Sequence, residues 1–419
     1  ANTTGHSNVA VGHSADLVNS TGSGNTAIGF ESLKAHVSGD VNTVLGYRAG
    51  LALTTGTTNT AIGATALQSL TTVSSMTAVG YGALAANTSG DKGVAVGYGA
   101  LTANTTAVHN TAVGYGALES NTTGGNNTAV GKNALDANTT TTGNTAVGVD
   151  ALGANTQNNS TAVGLSCGES NTTGQITAVG AFALNANTTA INNTAVGINS
   201  LRFNTTGAGN TAMGTSALYA TTTGGNNVAV GISAGLDLTT GDTNTLVGCR
   251  TGQNITTASN NTAMGVDAME DATTAADNTC IGNNAGANLT GGSNNLLLGK
   301  QAGKASMPGG QITTGSNIIV LGNSSITSFN CEVALSVASD ERDKTDFTDL
   351  DIGLDFVKQM KPYTYKWDKR SNYVDWDINP NTDLDTITHD GTHQEDWLDI
   401  GFKAQDVEIL EKAAGYDKD

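Results

Sequence analysis

The chain has 419 residues, with 54 Gly against 3 Pro, 5% aromatic and 13% charged residues, and a formal net charge of −18. Its 18 Lys and Arg form no basic patch, which argues against nucleic-acid binding, and no apolar run reaches the roughly 20 residues that a membrane helix needs, which argues against membrane insertion. Gly without a strict third-residue period excludes collagen, and regularly spaced Val, Ile and Ala exclude simple disorder, so a thin, repetitive core is expected in place of one large one.

In chain order, a repeat comes first. Gly12, Gly29, Gly46, Gly63, Gly80, Gly97, Gly114, Gly131 and Gly148 stand 17 residues apart, Gly164 and Gly180 follow at 16, and the spacing returns to 17 from Gly197 to Gly299. Gly322 follows after an insertion holding Met307-Pro308-Gly309-Gly310. The unit reads N-T-A-V-G-x-x-A-L-x-x-N-T-T-G-x-x, as from Asn110 to Asn126. Thr111-Ala112-Val113 predicts a short strand with Ala facing opposite to its neighbours. The glycine that follows predicts a corner with positive φ. Pairs such as Ala83-Leu84 and Ala134-Leu135 are expected to fill the coil from the opposite wall, and Asn-Thr-Thr-Gly is turn chemistry. Asn87, Asn104, Asn121, Asn138 and Asn155 predict a stacked amide ladder. Tyr81, Tyr98 and Tyr115 recur at one position and read as a packing ladder before a binding stripe. Regular Thr rows would suit ice binding, but drift to Leu53, Leu70, Leu238 and Ile255 counts against it.

Seventeen residues bury little alone, so the unit makes sense as one coil of a parallel β-solenoid in which each coil pairs with the next. The expected fold is mostly β: a solenoid or β-roll of 17-residue rungs over residues 1–330, with about nineteen rungs at roughly 4.8 Å each, or about 90 Å. The Ala faces are expected to meet around a shared axis, which implies a homotrimer.

Asn8-Val9-Ala10-Val11-Gly12, Gly93-Val94-Ala95-Val96-Gly97 and Asn227-Val228-Ala229-Val230-Gly231 resemble the N-S-V-A-I-G repeat in the heads of trimeric autotransporter adhesins. The resemblance implies a trimeric β-roll. It differs in having Thr at the Val position of most rungs and a longer period.

Composition changes near Ala338: all three Trp (Trp367, Trp376, Trp397), two of the three Pro and 21 of the 36 acidic residues follow it. Residues 331–338 read as a junction and 339–419 as a small α+β domain. Asp349-Leu350-Asp351 before Ile352, Leu354, Phe356, Val357 and Met360 predicts an amphipathic helix ended by Pro362. Tyr363-Thr364-Tyr365-Lys366-Trp367 alternates as a strand, and a second helix is expected to begin near Gly401-Phe402-Lys403-Ala404-Gln405-Asp406-Val407.

Four blocks in this region carry a second resemblance: Ser339-Asp340-Glu341-Arg342-Asp343-Lys344, then Gly353-Leu354-Asp355-Phe356, then Lys361-Pro362 with Tyr365-Lys366-Trp367, and finally Gly401-Phe402 with Ala404-Gln405-Asp406-Val407. Together they resemble the intramolecular chaperone auto-processing domain at the C-termini of phage tailspikes and tail fibres. That family's domain drives trimer assembly and then cuts itself off before the serine of S-D-x-R-x-K. The resemblance implies Ser339 as nucleophile, Lys344 as base, Asp340 and Arg342 as supporting motif residues, and Ala338-Ser339 as the bond cut once in cis. Asp343 departs from the family's apolar residue there. The long helix expected after Gly401-Phe402 is missing before Asp419, so the domain is read as incomplete at its C-terminus. The bland alternative has Ser339-Asp340 capping a helix and Lys344 on its solvated face.

Cys167, Cys249, Cys280 and Cys331 show no CxxC pairing and read as apolar fillers. His389 and His393, among Asp390, Glu395 and Asp396, read as a solvated acidic loop before a metal site; no metal and no cofactor is expected. The leading functional reading is an extracellular virion component: a homotrimeric tail-fibre shaft, with a host-surface glycan or protein receptor as partner. A trimeric bacterial cell-surface adhesin is the alternative.

Overall fold

The computed structural model describes residues 2–304, 311–330, 353–366, 388 and 399–413. The chain divides into two compact units, Ala1–Phe329 and Asn330–Asp419.

The first unit is a solenoid of nineteen strands, from β1 (Val9–Val11) to β19 (Ile319–Leu321), nearly all of three residues. Each strand pairs in parallel with the next. The 16-residue coils lose a residue outside the strand: Thr145, Thr161 and Thr177 remain partners. The 23-residue step is absorbed in the same way, with Leu296 opposite Ile319.

The corner glycines behave as the repeat predicts. Gly80, Gly97 and Gly114 have φ of +137°, +141° and +142°, and they stack along one edge. A Cβ built on Gly97 would run into the carbonyl of Gly114 in the next rung, so the position excludes a side chain both by conformation and by close approach.

The direction of the alanine face differs from expectation. Ala78, Ala95, Ala112 and Ala129 have no exposed surface within the single chain and pack against Leu84, Leu101, Leu118 and Leu135 in one continuous core. The Ala column therefore lines the inside of its own coil and not an axis shared between chains. A coil this narrow has room for a methyl group from the strand and one isobutyl group from the facing wall, and the small residue is needed there. The outward strand positions, Thr111 and Val113 in this rung, are half-buried.

Two amide ladders satisfy the backbone where the coil turns. Asn104, Asn121 and Asn138 each donate Nδ2–H to Oδ1 of the asparagine one rung before, at 3.0, 3.2 and 2.9 Å. Asn171, Asn187 and Asn204 continue from Asn155 at 2.8, 2.7 and 3.0 Å. The second ladder uses the asparagine before each strand. The N–H of Asn42 and of Asn59 donates to the preceding Asn25 and Asn42 Oδ1 at 2.8 and 3.0 Å, and the pattern recurs from Asn110 to Ser160 and from Asn193 to Asn295. Most of these buried polar groups are tolerated because they find a partner in the neighbouring rung; Asn204 Oδ1, where the next rung carries Thr221 in place of Asn, has none.

In the second unit, α1 (Gly353–Gln359) precedes β20 (Tyr363–Tyr365), which pairs antiparallel with β21 (Asp399–Gly401), and α2 (Ala404–Ala413) follows. The helix before Pro362 and the Tyr363 strand are as predicted. The second helix begins at Ala404, within the block where it is expected, after Asp399–Gly401 pairs with Tyr363–Tyr365.

Candidate functional site

The outer surface of the solenoid carries its exposed chemistry in columns. Tyr81, Tyr98 and Tyr115, each just over half exposed, stack with ring centroids 5.1 Å apart. The sequence reading missed that His13, Phe30 and Tyr47 stack in the same column, at 5.3 and 5.5 Å; the shared place after the corner glycine was the available signal. The Thr rows also need correction. Leu53, Leu70, Leu238 and Ile255 occupy the buried asparagine column, so they do not interrupt the threonines beside it. Those hydroxyls have a structural use: Thr105, Thr122 and Thr205 each donate to the carbonyl of the next rung's threonine at 3.1, 3.0 and 3.0 Å.

An open cavity of about 460 Å³ lies among Asp136, Asp150, Gly153, Glu169 and Ser170. Burial, helped by the charges of Asp150 and Glu119, pushes the Asp136 carboxyl above its usual range, against the backbone N–H groups that hydrogen-bond it. His36 is buried in the asparagine column, with Nδ1 2.8 Å from Asp16 Oδ1 and Nε2 2.8 Å from the Gly39 carbonyl. Cys167 and Cys280 are buried free thiols, and burial pushes both to about 12. Cys249 is free and half-buried. Among the described residues no group of three His, Cys, Asp or Glu is placed to hold a metal, and no helix is long and apolar enough to cross a membrane.

In the second unit the structure joins two of the sequence blocks that are far apart in the chain. Tyr363 lies opposite Gly401, and Tyr365 opposite Asp399. The Tyr363 hydroxyl donates to Asp406 Oδ2 at 3.2 Å across the turn into α2, and the Lys403 ammonium sits 4.4 Å from the centre of the Tyr363 ring. One tyrosine thus ties the β-pair to the start of the helix through a hydrogen bond and a cation–π contact. None of the described side chains here is fully buried, and Ile400, Phe402 and Ile409 are largely exposed.

Residues 339–415 match the family described as chaperone of endosialidase. A β-solenoid body with this chaperone region at its C-terminus fits a tail fibre or tailspike. No curated protein and no solved structure matches the chain. The match begins at Ser339 and runs through both blocks that the β-pair brings together. Ala338, Ser339, Asp340, Arg342 and Lys344 lie outside the described residues, as do Cys331, His389 and His393.

Proposed function

We propose that the chain is the shaft of a homotrimeric tail fibre or tailspike of a virion, with a host-surface glycan or protein as receptor, and that its chaperone region guides trimer assembly and then cuts itself off between Ala338 and Ser339. The observation that carries this reading is the chaperone-of-endosialidase match directly behind a long parallel solenoid.

The trimer has physical support of its own. In a chain of net charge −18, none of the nineteen strands holds a charged residue. Their outward third positions include Val130, Val163, Val179, Val196, Met213, Met264 and Ile281, all at least a third exposed. Such a long, neutral, half-apolar sheet face is costly to leave in water. A second and third copy have the same rung spacing and so cover it along its length, while the acidic remainder keeps chains apart elsewhere. With the alanines inside the coil, the trimer axis falls on this outward face.

The cleavage chemistry closes on this chain's own residues. Lys344, neutral when desolvated, takes the proton of the Ser339 hydroxyl as its oxygen attacks the Ala338 carbonyl carbon. The Ala338–Ser339 C–N bond breaks, the Ser339 nitrogen leaves as an amine with that proton, and an ester remains. Water then splits the ester, giving an Ala338 carboxylate and restoring the Ser339 hydroxyl. Ser339→Ala and Lys344→Ala should each leave a full-length chain that still forms trimers, and wild-type cleavage should slow at acid pH, where Lys344 is protonated. Mass spectrometry and native electrophoresis check this: cutting at the same bond in either variant removes the mechanism, and loss of the trimer in both makes the residues structural.

A further inference from the structure

We propose that the gap over Ala64, between the rings of Tyr47 and Tyr81, is a subsite for one pyranose ring of a surface glycan. This rests on the receptor-binding role proposed above and names a place for it.

The column that follows the corner glycine reads His13, Phe30, Tyr47, Ala64, Tyr81, Tyr98, Tyr115. Within each group of three, neighbouring rings lie within 14° of parallel and cover one another's faces. Ala64 interrupts the column for one rung. Between Tyr47 and Tyr81 the column itself supplies only the Ala64 methyl group, with the Arg48 guanidinium over the Tyr47 ring, 5.2 Å from its centroid. Both residues are half exposed, at 49% and 55%. Two rung steps set the rings about 10 Å apart.

That width selects the occupant. A flat aromatic ring in contact with both faces needs about 7 Å, at roughly 3.5 Å per side, and would rattle. A cation at the centre would lie about 5 Å from each ring, within reach of both, but the Arg48 guanidinium already stands 5.2 Å from the Tyr47 centroid and repels a second positive charge. A chair-shaped pyranose is thicker than a flat ring, presents C–H groups to both faces and is neutral. Its hydroxyl groups point to the edge, where the Arg48 guanidinium beside Tyr47 is held by Glu31 of the preceding rung. Glu31 accepts from Arg48 Nε at 2.8 Å and from Lys34 Nζ at 2.6 Å, and the Arg48 side chain is 41% exposed. Apolar faces with a few fixed polar groups at the rim make up a small-molecule subsite. The other alanine in the column, Ala181, stands between Leu165 and Ile198, where no ring is available.

The test uses the full chain on an array of purified bacterial surface polysaccharides and on intact bacterial cells. Ala64→Tyr fills the gap with a residue that the column already accepts at Tyr47, Tyr81, Tyr98 and Tyr115, so the coil is expected to fold. It should weaken polysaccharide binding at least tenfold, whereas Tyr115→Ala, outside the gap, should change it less than twofold. Should Ala64→Tyr fail to fold by circular dichroism, Tyr81→Ala removes one wall and is expected to weaken binding to the same extent. Undiminished binding in the folded variant overturns the subsite and leaves the receptor role standing. A wild-type chain that binds neither the polysaccharides nor the cells overturns both.

Discussion

Asn121 illustrates why a buried polar residue is acceptable in a repeat. Its Nδ2 donates to Asn104 Oδ1 and to the Gly124 carbonyl, and its Oδ1 accepts from Asn138. Asn121→Ala leaves Asn104 Oδ1 without this donor, while the Gly124 carbonyl keeps Asn110 Nδ2 and Asn138 Nδ2 keeps the Thr141 carbonyl, and thermal unfolding should show a loss of about 1–3 kcal/mol. The buried thiols give a pH dependence. Both have an unperturbed value of 9.0 and stand at about 12 in the folded chain. Between these values the unfolded chain has lost the thiol protons and the folded chain keeps them, so the unfolded state binds fewer protons and stability falls as pH rises above about 9. Replacing Cys167 and Cys280 with Ala should flatten that alkaline decline in a urea titration. At pH 8 the native chain should resist thiol reagents at both positions, since the thiolate is the reactive form.

Within one rung, volume is shared between the strand centre and the residue six positions on. Where the strand carries Ala61, Ala78, Ala95 or Ala112, the facing position is Leu67, Leu84, Leu101 or Leu118. Where it carries Val44, Leu246, Cys280 or Leu297, that position is Gly50, Gly252, Gly286 or Gly303. A Cβ on Gly286 would come within 2.7 Å of Cys280 Sγ, and one on Gly303 within 3.1 Å of Leu297 Cδ1. Gly168 and Gly235 follow alanine strands, and their space is taken by neighbouring coils: Leu152 and Ile176 in one case, Leu218 and Leu246 in the other. The facing leucines also sit at positive φ, +52° at Leu118. This strain of about 1–3 kcal/mol is offset by burying the whole side chain, worth a similar amount. Ala112→Leu alone should destabilise by about 1–3 kcal/mol through overpacking, and Leu118→Gly alone by about 2–5 kcal/mol through the cavity it leaves. The double variant recreates the Leu246/Gly252 arrangement and should be less damaging than the sum by more than about 1 kcal/mol in a double-mutant cycle.

Across the whole molecule, the neutral outward sheet face is the surface on which the proposed trimer rests. Val179→Glu with Val196→Glu places carboxylates in adjacent rungs of that face. If three copies meet there, burying the charges costs more than about 3 kcal/mol. Light scattering should find monomer in place of trimer, with the strand signal in circular dichroism retained. Thr123→Glu, on the exposed threonine column, should leave the mass unchanged. An unaltered trimer in the double variant would move the axis to another face.

The period of 17, the corner glycines and the nineteen-rung solenoid were legible in the amino-acid sequence, because a repeating coil requires the same local conformation at every turn. The block order at the C-terminus was equally legible and agrees with the family match from 339 to 415. Which way each strand face points was not. Alternation places Ala112 opposite to Thr111 and Val113, but only closure of the coil decides which side is inside, and the space left by Leu118 admits a methyl group and nothing larger. The pairing of Tyr363–Tyr365 with Asp399–Gly401 likewise depends on a long-range contact that no local pattern contains. The gap between Tyr47 and Tyr81 was present as letters 34 residues apart. It became a place for a ligand only once the rungs were stacked, because stacking turns a sequence interval into about 10 Å of space.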